Sequence, residues 1–238
     1  MEQAVAVVTG ANRGLGLATS RALGELGYHV VLCARDSDAG ARAQESLQAD
    51  RLSCELRRVD VTRSEEVSDL GRHLRDNLGR VDVLVNNAGV NLESYREDGS
   101  RSANPGVVSP LTVLESVNIN ALGALRMIQA LADTFVHGAR IVNVSSGMGQ
   151  LTEMEGGWLG YRMSKTAMNS LTRVFAAALA ERSISVNSVC PGWVRTDLGG
   201  PRATRSIAEG IDTIVWLATS EEARETGGFY RDRTRIAW

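Results

Sequence analysis

The chain has 238 residues, 43% of them hydrophobic and 23% charged, with a formal net charge of -2 at pH 7. That length suits one domain over residues 1–238 with a core that needs no cross-links, and the near-neutral charge, without any dense basic block, argues against nucleic acid or an anionic membrane as partner. The cysteines, Cys33, Cys54 and Cys190, are odd in number and far apart, and His29, His73 and His137 are scattered, so reduced thiols are expected and a metal site is not.

The apolar run at Ala4 to Val8 begins without a charged leader, and no stretch has the length of a membrane span, so the cytoplasm is the expected compartment. Short runs rich in valine and isoleucine alternate with longer segments of helical period. That pattern predicts an α/β fold: a doubly wound, mostly parallel seven-stranded sheet with helices on both faces. Strands are expected near Ala4 to Val8, His29 to Cys33, Ser53 to Val59, Val81 to Val85, Arg140 to Val144, Ser183 to Val189 and Gly228 to Tyr230. One long helix is expected from Leu111 to Val136, because Leu114, Val117, Ala121, Leu125, Ile128, Leu131 and Phe135 recur at three and four. Another is expected from Leu159 to Arg182.

Ligands of such sheets bind beyond the carboxyl ends of the strands. The first strand delivers Thr9-Gly10-Ala11-Asn12-Arg13-Gly14-Leu15-Gly16, whose glycines let the backbone approach a pyrophosphate at the start of a helix. The second ends at Cys33-Ala34-Arg35, where an NAD site would offer an acid to the ribose. Here Ala34 is neutral and Arg35 basic, so a 2′-phosphate fits better, with Arg13 able to reach the same group. Asp36 is the competing acid. At the end of the third strand Asp60 either accepts from an adenine amino group or caps the helix starting near Ser64. The fourth runs into Asn86-Asn87-Ala88-Gly89, which suits close passage of a ribose or simply a turn. A polar segment follows between Val90 and Pro110, expected at a pocket rim. The fifth strand leads to Ser145-Ser146 and the sixth to Cys190-Pro191-Gly192-Trp193.

Tyr161 and Lys165 stand four apart on the second long helix and so share a face. An ammonium there favours the phenolate, and a tyrosine lowered in this way works as a general acid or base near neutral pH.

Taken in order, Thr9-Gly10-x-x-x-Gly14-x-Gly16, Asn86-Asn87-Ala88-Gly89, Ser146, Tyr161-x-x-x-Lys165 and Pro191-Gly192 resemble the short-chain dehydrogenase/reductases, over nearly the whole chain. The run from Pro191 to Asp197 and the ending Gly227 to Asp232 are most similar to the NADPH-dependent carbonyl reductase branch. The resemblance implies a Rossmann-type domain and a reductase acting on a small-molecule carbonyl, with Tyr161 as catalytic acid. It implies that Lys165 lowers the tyrosine pKa and holds the nicotinamide ribose, that Ser146 donates to the substrate carbonyl, and that Asn120 supports a water chain, Asn118 being the alternative. It carries binding of NADP(H) onto Gly10, Asn12, Arg13, Gly14, Leu15, Gly16, Arg35, Asp60, Val61, Asn87, Ala88, Gly89, Tyr161, Lys165, Pro191, Gly192, Val194 and Thr196.

The gap from Ser146 to Tyr161 is longer than the family's, which leaves Ser145 open as the donor. The insertion that keeps some carbonyl reductases monomeric is absent, so a homodimer or homotetramer is expected. Met148, Leu151, Met154, Trp158, Trp193 and Leu198 are expected as apolar pocket walls, with Glu153 and Glu155 disfavouring anionic substrates. Competing readings are an oxidatively working alcohol dehydrogenase, a β-ketoacyl reductase and a dinucleotide-binding regulator without turnover.

Overall fold

A computed structural model of the chain describes residues 3–93 and 104–238. Eight strands form one sheet: β1 (Val5–Thr9), β2 (His29–Ala34), β3 (Cys54–Arg58), β4 (Val81–Asn86), β5 (Phe135–Val144), β6 (Ser185–Val189), β7 (Phe229–Arg231) and β8 (Thr234–Ile236). Their spatial order is β3-β2-β1-β4-β5-β6-β7-β8. Every neighbouring pair is parallel except β7 with β8. The eighth strand adds to the seven expected; it is three residues of mostly exposed edge, too short to carry a pattern.

Alternation along β1 shows how both faces are covered. Val5 and Val7 join one apolar cluster, with Leu70, Leu74, Met127, Ile128 and Ala176. Ala6 and Val8 join the other, with Leu23, Leu47, Ile214 and Leu217. A strand buried on both sides must read as a continuous apolar run, as this one does. The helices supplying those residues are α1 (Gly14–Glu25), α2 (Ser37–Ala49), α3 (Ser64–Asn77), α5 (Gly123–Ala130), α6 (Leu159–Ala178) and α7 (Ile207–Thr219), while α4 (Pro110–Val117) buries only Ser116.

The long helix expected from Leu111 to Val136 is present as one helical run, but its winding changes part-way and it stops short. It divides into α4, a π turn at Asn118–Leu122, and α5, and it ends at Ala130. Phe135 and Val136 belong to β5, with Phe135 paired to Val81. Leu131 and Phe135 are both buried in the same cluster, so their spacing of four satisfies the core although the chain changes conformation between them.

Side chains cap the N-termini of three of the seven described α-helices. Asp36 caps α2 through the Ala39 N–H, Ser109 caps α4 with Pro110 in the first turn, and Ser206 with Glu209 forms a capping box on α7. The N-termini of α1, α3, α5 and α6 have no such cap, and that of α6 differs again: its N-cap, Trp158, has a left-handed φ of 46°.

Candidate active site

The strand order changes direction between β1 and β4, and the glycine turn after β1 lies at that crevice. Gly10 and Gly14 have φ of +62° and +55°, which glycine adopts without strain. Gly16 is needed for space, since a Cβ there would stand 2.2 Å from the Gly10 carbonyl oxygen and 2.5 Å from Asn87 Nδ2. The Asn87 amide donates to the carbonyls of Thr9 and Gly10 at 2.9 and 3.2 Å. In return the Thr9 hydroxyl accepts from the N–H groups of Asn87 and Ala88, each at 3.0 Å.

Gly14 faces Thr196, its Cβ position 3.4 Å from Thr196 Cγ2. Leu15 and Val194 meet over Gly210 of α7. Gly10, Gly14, Leu15, Gly16, Asn87, Ala88, Val194 and Thr196 are therefore one cradle, onto which the unpaired N–H groups of the first turn of α1 open. Asn12 is half-buried in the turn. Pro191 and Gly192 are half-buried beyond the end of β6.

At the end of β2, Arg35 is exposed. The competing acid is committed elsewhere: the Ala39 N–H holds the Asp36 carboxyl below its ordinary range, with Arg42 and Arg35 adding. Arg13 pairs with Asp197 at 2.6 Å. Both partners are more than two-thirds exposed, so the pair is weak and exchangeable. Asp60 does not cap α3, whose N-cap position is Arg63. Its Oδ1 instead accepts from the Thr62 N–H and hydroxyl at 2.9 and 2.7 Å. Burial opposes ionisation of Asp60, but those bonds, with Arg35 and Arg63, outweigh it and the pKa is lowered. Val61 fills the space left by Gly123, whose Cβ would stand 2.7 Å from Val61 Cγ2.

Beyond β4 and β5 the remaining candidates converge. Lys165 Nζ donates to the Val144 carbonyl at 2.8 Å and lies 5.6 Å from the Tyr161 ring centroid. Gly89 packs between Asn120 and Lys165, a Cβ there being 3.2 Å from Asn120 Oδ1 and 3.4 Å from Nζ. Asn120 is fully buried in the π turn and grips Val90 twice, accepting from its N–H and donating to its carbonyl, each at 2.8 Å. Asn118 bonds Arg126 instead. The hydroxyl of Ser146 stands close enough to the phenol to favour its ionisation, whereas Ser145 is buried and donates to the Lys165 carbonyl at 3.3 Å. Of the two serines, Ser146 is the one at the phenol.

Residues 4–207 match the family model described as short chain dehydrogenase. The chain belongs to that family. It is 33% identical over 260 residues to carbonyl reductase (NADPH) 1 of Homo sapiens, covering 90% of each chain. With the mouse protein of that name it is 30% identical over 280 residues, covering 98% of each. That alignment is longer than this chain, so the relative carries residues without counterpart here. Among solved structures, the carbonyl reductase Sniffer of D. melanogaster superposes with a TM-score of 0.86 at 26% identity over the whole of both chains. An NADPH-bound carbonyl reductase from chicken fatty liver gives 0.84 at 25%, again over the whole of both.

In this short-chain dehydrogenase the expected lowering of the tyrosine does not hold. Burial pushes Tyr161 up to about 12, against the pull of Ser146. Burial also pushes Lys165 down to about 8. Spacing on a helix brings the amine to the ring, but both groups are buried, and desolvation disfavours both charged forms.

Leu151, Met154, Trp193 and Leu198 are exposed apolar side chains, and Met148 and Trp158 are half-buried, so none of the six expected walls belongs to the core. Glu155 pairs with the buried Arg162 at 3.6 Å, which offsets its charge; Glu153 is exposed. Of the polar segment after Val90, residues 94–103 lie outside the described residues. Two further groups border the site, the first of them within the ending Gly227 to Asp232. Arg231 donates through Nε and Nη2 to Cys190 Sγ at 3.4 and 3.2 Å, and the same sulfur accepts from the Gly147 N–H at 3.0 Å. The other is Glu93, whose carboxylate accepts from the Tyr161 N–H at 2.9 Å.

Proposed function

We propose that this chain is an NADPH-dependent reductase of ketones or aldehydes, with Tyr161 as the general acid. The observation that carries the reading is a buried phenol with the Ser146 hydroxyl and Lys165 ammonium beside it, at the same sheet edge as the glycine cradle. The residues present fit the cofactor. The spaces at Gly10 and Gly16 admit no side chain, and the neighbouring backbone and the end of α1 suit a pyrophosphate. Arg35, without an acid free to compete for the ribose, suits a 2′-phosphate.

When bound, the dihydronicotinamide supplies a hydride to the carbonyl carbon. The chain's own part is the other half of the reaction. The Tyr161 hydroxyl, held protonated by burial, gives its proton to the oxygen on which negative charge develops, and Ser146 donates a hydrogen bond to that oxygen. Lys165 keeps a positive charge beside the phenol, which stabilises the phenolate left behind, and Asn120 fixes Val90 behind it. The same groups run alcohol oxidation in reverse, with the phenolate as base. Exposed apolar walls favour an apolar, medium-sized carbonyl. The reading includes cytoplasmic residence and self-association through α4 and α6, whose Leu111, Leu114, Met163 and Val174 are exposed.

The test compares NADPH and NADH consumption over a panel of aldehydes and ketones, with Arg35→Asp alongside. NADPH should be preferred by the natural chain, and the variant should shift preference toward NADH by at least about tenfold, the scale of one lost charge-assisted contact. An unshifted preference places the phosphate elsewhere.

A further inference from the structure

We infer that Glu93 is a positioning residue for Tyr161, supplying from the chain after β4 the cap that the catalytic helix lacks; the inference rests on Tyr161 as the proton donor. The first N–H groups of a helix have no partner within it and ordinarily find one in the N-cap side chain. On α6 that position is Trp158, which provides none, and the first turn contains no acidic residue. The Tyr161 N–H is the third of these open donors. Glu93 Oε2 accepts from it at 2.9 Å, across 68 residues of sequence.

The surroundings are shaped for this contact. A Cβ on Gly160 would meet Glu93 Oε2 at 3.2 Å, Ser116 Oγ at 3.1 Å and the Val113 Cα at 3.2 Å. A larger residue would push away both the carboxylate and α4. Glu93 is half-buried, and its own N–H donates to Asn91 Oδ1 at 3.2 Å. A carboxylate at this end of a helix is also favoured by the helix dipole.

The other polar group of the same residue is held from the same stretch of chain. The Tyr161 carbonyl accepts from Ser164 Oγ at 2.7 Å, Ser164 Oγ accepts from Asn120 Nδ2 at 2.8 Å, and Asn120 grips Val90. Segment Val90 to Glu93 thus fixes the Tyr161 backbone at its N–H directly and at its carbonyl through two side chains. A proton donor works only at hydrogen-bond reach of the developing charge, so a shift of the first turn moves the phenol away from its target.

The experiment uses Glu93→Ala, Glu93→Gln and Tyr161→Phe in the full chain, with NADPH and 4-nitrobenzaldehyde as the probe. Glu93→Ala should lower kcat by roughly ten- to hundredfold, the scale of a misplaced catalytic group, while NADPH affinity by fluorescence titration stays unchanged. The deuterium isotope effect from 4-deuterated NADPH should rise as chemistry becomes limiting. Glu93→Gln retains an acceptor oxygen for the Tyr161 N–H and should recover most of the rate. A Glu93→Ala enzyme with unchanged kcat overturns the inference. So does a Glu93→Gln enzyme as impaired as Glu93→Ala with the acid limb of its pH profile gone, which would make Glu93 a proton carrier. If Glu93→Ala does not fold, Glu93→Asp decides: a carboxylate one methylene short must lower kcat at constant NADPH affinity, and natural kcat refutes the role. Tyr161→Phe separates the two readings, since its full activity would overturn Tyr161 as donor whatever Glu93 does.

Discussion

One cause moves Tyr161 and Lys165 in opposite directions. Burial favours the neutral form of each, raising the phenol to about 12 and lowering the amine to about 8. Lys165 in the unfolded chain keeps its proton up to about 10.5. Below pH 8 both states carry that proton and the full cost of a buried charge is present. Between pH 8 and 10.5 the unfolded chain binds more protons than the folded one, so the Lys165 contribution to stability rises with pH across this window. Tyr161 titrates only above its unfolded pKa of 10, so from pH 8 to 10 it leaves this slope untouched. The cofactor-free enzyme should therefore gain thermal stability from pH 8 to 10 relative to Lys165→Met. Parallel melting curves for the two proteins would show that the amine is not desolvated as described.

Among the elements, α2 separates two roles that a sequence leaves entangled. Asp36 follows Arg35 at the end of β2, where an acid would select NAD. Its carboxylate instead closes the helix by accepting from the Ala39 N–H at 2.9 Å. Asp36→Ala should then lower Tm by roughly 2–4 °C and leave the choice between NADPH and NADH unchanged. A changed cofactor preference would return Asp36 to the binding site.

The elements also show what was legible. Strands buried on both faces announce themselves as runs such as Val5 to Val8, and all seven expected strands are present with ends moved by a few residues. The glycine turn was legible because its backbone requirements are local. The end of the helix after Leu111 was not, because the apolar spacing persists from Leu131 to Phe135 across the change to β5. Glu93 was also invisible. Its partner is an N–H, which has no signature in sequence, and the missing cap on α6 is recognised only once Trp158 is known to be left-handed.

For the whole molecule, the sheet gathers its polar chemistry at one edge and leaves apolar side chains exposed on α4 and α6. Self-association through that face should make the chain at least a dimer by light scattering, with Leu114→Glu shifting it toward monomer; a natural chain monomeric at micromolar concentration contradicts this. Everything proposed for turnover converges on one proton. The most direct measurement is single-turnover reduction of 4-nitrobenzaldehyde by Tyr161→Phe, with NADPH binding measured on the same preparation. Loss of at least about a hundredfold in rate, the lower bound for a positioned acid, with NADPH affinity intact is the predicted result; a rate within a few-fold of the natural enzyme at the same affinity would contradict it.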